Sequence, residues 1–223
     1  MTESAFEINV SDPGGGNRLG PEARAGLQSQ LKQARKSGAP AVLIRVSSNA
    51  WDQDPIADPA GLSAQQVSKD FHGLVVDLFS LETPVVVQLE GRITGLGLAL
   101  ALACDIRFAS PAADLGVGGS ETPNALVSGT SWLLAQRAGS ALVADLSWTG
   151  RYLHADEAHQ LGLLSGLSPD DSAARAAAGR LAATPRGATS ALKRSLNGRL
   201  LGELVDQLDY DSWLATVAAR AAR

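Results

Sequence analysis

Short apolar runs along this chain alternate with longer stretches in which apolar residues recur every three or four positions. Phe6 to Val10 alternates and predicts a short strand, which Asp12-Pro13-Gly14-Gly15-Gly16 ends with turn chemistry. From Pro21 onward Ala23, Leu27, Leu31 and Ala34 share one helical face, and Ser37-Gly38 closes that helix. Ala41 to Val46 is apolar and β-branched, which predicts a buried strand. Ser47 to Gly61 holds Asp52, Asp54, Asp58, Pro55 and Pro59 without periodicity and reads as a loop leaving the C-terminal end of a strand. Ser63 to Leu81 predicts a second helix with Val67, Phe71, Leu74, Val75 and Leu78 on one face, and Glu82-Thr83-Pro84 stops it. Val85 to Leu89 is another buried strand, and Gly91 to Gly97 reads as a glycine-rich turn.

In Leu98 to Cys104 leucines alternate with alanines. The period suggests a strand, but the intervening residues are alanine rather than polar, and Ala and Leu are the strongest helix formers. The spacing predicts a buried helix of about two turns opened by the glycine turn. Ile106 to Ala109 and Asp114 to Gly116 predict strands, and Gly118 to Thr122 a loop. Helices are predicted over Asn124 to Arg137, Ala141 to Trp148 and Ala155 to Leu161, with Gly139, Gly150 and Gly162 as stops. From Ser172 the chain is Ala- and Arg-rich helix, broken near Thr184-Pro185 and Asn197-Gly198. Strands and helices alternate first and helices dominate later, so the fold class is α/β followed by a helical region.

Composition narrows the function. With 45% apolar and 19% charged residues in 223, the chain is not disordered throughout. No stretch of about 20 residues is free of polar breaks, so no membrane span is expected. The net charge is −4 and basic residues form no stripe, which argues against a nucleic-acid partner. Cys104 is the single cysteine, which excludes an internal disulfide and a multi-cysteine metal site; it reads as a small core residue. No metal ligand set is evident. The acidic N-terminus lacks an apolar signal core, and the expected location is cytoplasmic.

Several motifs carry a family resemblance. Pro84-Val85-Val86-Val87-Gln88-Leu89-Glu90-Gly91 is followed by Gly95-Leu96-Gly97 and by Ala103-Cys104-Asp105-Ile106-Arg107-Phe108-Ala109. Later come Leu146-Ser147-Trp148-Thr149-Gly150-Arg151, Glu157-Ala158 and Leu161-Gly162-Leu163, with Asn17-Arg18-Leu19 early and Ala191-Leu192-Lys193 late. In this order and spacing they resemble the crotonase (enoyl-CoA hydratase/isomerase) superfamily. The resemblance implies a spiral of ββα units over residues 1–165 and a helical oligomerisation region over 166–223. It implies an acyl-CoA or acyl-carrier-protein substrate, with CoA or phosphopantetheine as carrier, no separate cofactor, and a homotrimer or hexamer.

The resemblance also implies that the family's chemistry is stabilisation of a thioester enolate by two backbone N–H groups. One maps to Leu96, in the glycine turn. The other falls near Gln53, where Ala50-Trp51 matches the family's loop and Asp54-Pro55-Ile56 departs from it. Trp51, Asp52, Asp54, Gly95, Gly97 and Gly119 then line the substrate. Hydratases of the family use two glutamates, and here those positions hold Ala99 and Gly119, neither of which transfers a proton. Glu121, two residues on, is the nearest carboxylate, either a displaced acid/base or a solvated loop residue. The expected chemistry is therefore decarboxylation, dehydration or cyclisation in a specialised, polyketide-type bacterial pathway. The alternatives are an accessory subunit binding a synthase and a hydratase using Glu121. Asp52 and Asp54 read as solvated or capping carboxylates before they read as bases. His72 reads as a surface or satisfied partner residue, His154 and His159 as surface residues, and Ser120, Thr122 and Ser128 as caps.

Overall fold

The computed structural model describes residues 4–11, 19–47, 50–52, 64–118 and 128–221. The order of elements is β1 (Phe6–Val10), α1 (Pro21–Ser37), β2 (Val42–Val46), α2 (Ala64–Ser80), β3 (Val85–Leu89), β4 (Arg92–Thr94), α3 (Leu96–Ala103), β5 (Ile106–Ala109) and β6 (Asp114–Gly116). It continues with α4 (Thr130–Ala138), α5 (Ser140–Thr149), β7 (Leu153–His154), α6 (Ala155–Gln160), β8 (Gly166–Leu167), α7 (Ser172–Ala182), α8 (Arg186–Asn197) and α9 (Leu200–Ala221).

Among the described residues two sheets form. The larger runs β1-β2-β3-β5-β8 with parallel pairs throughout; the smaller runs β4-β6-β7. Two successive passes of the chain lay one strand in the first sheet and the next in the second: β3 then β4, β5 then β6. That is the expected spiral of ββα units. Gly91 takes φ +74° at the first of these corners, and its carbonyl receives the Asp114 N–H at 3.1 Å.

Why β3 is apolar at nearly every position follows from its two covered faces. Val85, Val87 and Leu89 join the main core with Val42 and Ile44. Val86 and Leu43 point the other way, against Ala174, Ala177 and Ala178 of α7. Small alanines let α7 lie close to the sheet. Arg45 bridges Glu7 (2.8 Å) and Asp171 (2.9 Å), and Arg175 meets the same two carboxylates, which fixes the start of α7 over β1 and β2. Thus β8 and α7, beyond residue 165, belong to the layers of the first sheet.

Every residue of α3 is buried, as expected of a helix apolar on all sides. Two expectations are corrected. The turn over 91–97 contains a strand, β4, because Arg92–Thr94 pairs with Asp114–Gly116. The helix predicted from Asn124 starts at Thr130, since Ser128 (φ +63°) and Gly129 (φ +69°) are left-handed and break it; residues 124–127 lie outside the described residues. The two-residue strands β7 and β8 carry too little pattern to be foreseen.

Candidate active site

The first helical residue of α3 and the loop after β2 meet at the end of β4. Gly95 caps α3 with φ 53° and ψ −122°, a conformation that only glycine adopts without strain. Its carbonyl accepts from the Ala99 N–H at 3.1 Å and from the Thr130 hydroxyl at 3.3 Å. A trans peptide holds its C=O and N–H antiparallel. The Leu96 N–H is therefore aimed out of the first turn of α3, at the positive end of the helix dipole.

Trp51 and Asp52 approach this turn from the other side. The Thr94 N–H donates to the Trp51 carbonyl at 3.0 Å, and the Thr94 hydroxyl donates to Asp52 Oδ1 at 2.8 Å. A Cβ on Gly97 would collide with the Trp51 carbonyl oxygen, so only glycine permits this approach. Trp51 is fully buried, and its indole N–H has no hydrogen-bond acceptor among the described residues. Asp52 is 4% exposed, which corrects the reading of a solvated carboxylate.

The fold thus brings together Trp51, Asp52, Gly95, Leu96 and Gly97. Gln53, Asp54, Gly119 and Glu121 lie outside the described residues, as do Ser120 and Thr122. Ala99 is buried in the first turn of α3 and has no titratable group. Sequence reasoning missed Thr94 and Thr130. The only signal for Thr94 was a hydroxyl immediately before the glycine turn.

The other chemistry-bearing residues are held elsewhere. Cys104 is buried, its thiol 3.3 Å from the Leu100 carbonyl, and burial first of all pushes its pKa up to about 12. His154 Nδ1 is 2.6 Å from Asp114 Oδ1, and His159 Nδ1 is 2.9 Å from the Leu164 carbonyl. His72 is half-buried, and burial lowers its pKa against the pull of Asp209. Arg92 stacks over the Tyr152 ring at 4.9 Å. Ser128 is not the cap of α4: its buried hydroxyl has no partner among the described residues, and Gly129 is the N-cap. Asp211 of α9 is fully buried near that N-cap. Burial raises its carboxyl to about 6, against hydrogen bonds from Gln207 and the Gly129 N–H. Among the described residues no cluster of three or more His, Cys, Asp or Glu is placed to hold a metal, and no helix is long and apolar enough to cross a membrane.

Comparison with known proteins adds the following. The enoyl-CoA hydratase/isomerase family matches residues 1–220. The chain is 36% identical over 109 residues to cyclohexa-1,5-dienecarbonyl-CoA hydratase of Thauera aromatica, covering 49% of this chain and 42% of that protein. It is 27% identical over 235 residues to 1,2-epoxyphenylacetyl-CoA isomerase of Escherichia coli K12, covering 100% of this chain and 89% of that protein. The crystal structure of enoyl-CoA hydratase from Bacillus halodurans superposes with a TM-score of 0.81 at 20% identity, over 95% of this chain and 90% of that one.

Proposed function

This chain belongs to the enoyl-CoA hydratase/isomerase family, and from that premise we propose that it processes an acyl thioester by stabilising an enolate at backbone N–H groups. The observation that carries the reading is the contact of Gly97 with the Trp51 carbonyl. It presses the loop after β2 against the helix start that presents the Leu96 N–H. The second N–H of the pair is the one that the resemblance assigns to Gln53, which lies outside the described residues. Preorganised donors of this kind are worth about 3 kcal/mol each in a dry site. The acyl group arrives on CoA or on the phosphopantetheine of a carrier protein.

Hydration needs acid–base groups poised on a water. Ala99 supplies none at the first glutamate position, and Gly119 supplies none at the second. The reading is therefore decarboxylation, dehydration or cyclisation, as in specialised bacterial polyketide-type pathways. A second reading, hydration with Glu121 as the acid/base, is favoured by the hydratase named among the relatives. Glu121→Gln tests it. A loss of at least about a hundredfold in hydration of a short enoyl-CoA supports it, and a loss under about threefold removes it.

The donor itself is tested at Leu96. Leu96 is the first residue of α3, where proline is tolerated. Leu96→Pro removes the N–H, whereas Leu96→Ala removes a comparable amount of packing and keeps it. The proposal expects proline, and not alanine, to abolish the enolate formed from bound acetoacetyl-CoA. Equal signals in the two variants would overturn it.

A homotrimer or hexamer belongs to the same proposal. Leu192 and Leu196 on α8 and Tyr210 and Trp213 on α9 are each more than half exposed, an apolar surface that a subunit interface would cover. Light scattering that finds a monomer at micromolar concentration would count against it.

A further inference from the structure

Two residues near the proposed oxyanion site have no part in the chemistry assigned to it so far. Thr94 is fully buried and Asp52 nearly so. They lie 42 positions apart in sequence, yet one threonine grips two consecutive residues of the opposite loop. Its N–H takes the Trp51 carbonyl at 3.0 Å, and its hydroxyl takes Asp52 Oδ1 at 2.8 Å. A single main-chain bond would leave the loop free to swing about it. Two bonds from one residue to adjacent partners hold orientation as well as distance.

The sterics and the hydrogen bonds act in opposite directions. The Trp51 carbonyl against Gly97 sets the closest approach of the loop to α3. The hydroxyl–carboxylate bond pulls the loop down onto that stop. Thr94 stands two residues before Leu96, and Gly95 between them has its carbonyl held by Thr130 and Ala99. The peptide that carries the Leu96 N–H is thereby fixed to α3 and Thr130, and the two Thr94 bonds set where the Trp51–Asp52 loop sits against it.

We infer that Asp52 and Thr94 form a clamp that sets the position of the Leu96 N–H against the loop after β2. They act as positioning residues for the oxyanion, and Asp52 takes this role in place of the substrate-lining one that the resemblance implied. The inference rests on the reading of the site given above. A carboxylate merely needing a buried partner would leave the chemistry per folded molecule unchanged when the clamp is cut.

The test follows the near-ultraviolet absorbance of the enolate that forms from acetoacetyl-CoA when its C2 proton passes to buffer. Affinity for CoA alone and the far-ultraviolet circular dichroism are measured beside it. Thr94→Val keeps the shape and removes the hydroxyl. It is expected to lose at least about tenfold in enolate at saturation, with CoA affinity and dichroism unchanged. Thr94→Ser restores the hydroxyl and should restore most of the signal. Asp52→Asn keeps an acceptor without the charge and should lose about threefold. Undiminished enolate in Thr94→Val overturns the clamp; should that variant fail to fold, undiminished enolate in Asp52→Asn overturns it. If the wild-type protein forms no enolate, the oxyanion reading itself fails and the clamp with it.

Discussion

Lys193 Nζ on α8 lies 2.7 Å from Asp105 Oδ2, at the turn between α3 and β5. The same carboxylate oxygen accepts from the Val85 N–H at 2.7 Å, and Lys193 also donates to the carbonyls of Leu78 (3.4 Å) and Thr83 (3.3 Å). All three ammonium protons are used. One lysine thus ties α8 to the end of α2, the start of β3 and the turn before β5. The helix that carries the exposed Leu192 and Leu196 is anchored by it to the core that carries the site.

Removing that lysine leaves a carboxylate and two carbonyls without their cation. Lys193→Met is expected to destabilise the protein by about 3 kcal/mol, the lower range for a broken buried pair because Asp105 keeps some contact with water. Urea denaturation checks it. A loss below about 0.5 kcal/mol would make the anchor a surface-type ion pair.

Gly97 and Gly26 should respond in opposite ways to the same substitution. A Cβ at Gly97 meets main-chain carbonyl oxygen, so Gly97→Ala must push the Trp51 loop off α3 and should cost at least about 2 kcal/mol. Gly26 lies inside α1 with nothing within 4 Å of a new Cβ, and Gly26→Ala should add about 0.5 to 1 kcal/mol. Thermal melts of both variants are the measurement.

Asp211 predicts a pH effect with a definite sign. Its folded pKa of about 6 lies above the ordinary carboxyl value of 3.8, so the folded chain holds the proton more tightly than the unfolded one. Its contribution to stability is full at low pH and is lost as pH rises towards 6. The slope between those two values is about 1.4 kcal/mol per unit while only the unfolded chain is ionised. The wild type should therefore lose stability relative to Asp211→Asn between pH 4 and pH 6. Parallel stability curves for the two proteins would contradict the assignment.

Cys104 should be inert in the folded state. A thiol pushed up to about 12 and shut in the core has almost no thiolate at neutral pH and no access for a reagent. A thiol-reactive dye is expected to label it only after denaturation. Rapid labelling of the native protein would show that α3 opens.

Most of the scaffold was legible from local pattern alone. The helix at Pro21–Ser37 announces itself through Leu27, Leu31 and Ala34, the strand at Val85–Leu89 through continuous apolar residues, and the ends of α1 and α5 through Gly38 and Gly150. Periodicity and glycine punctuation are properties of neighbouring residues, so they survive in a linear reading. The same holds for the glycine turn at 95–97, which marks the helix start that the proposed chemistry needs.

Other features exist only because distant segments pack together. Arg92–Thr94 is a strand because β6 lies beside it, and nothing within those three residues says so. Asp206, Asp209 and Asp211 are equivalent letters in one helical stretch, and only the docking of α9 beside Gly129 buries Asp211 and raises its pKa. Thr94 meets Asp52 across 42 residues, and Lys193 meets Asp105 across 88. Local propensity carries no information about such pairs. They are chosen by burial, which leaves a polar group no partner except the one that the folded chain brings to it.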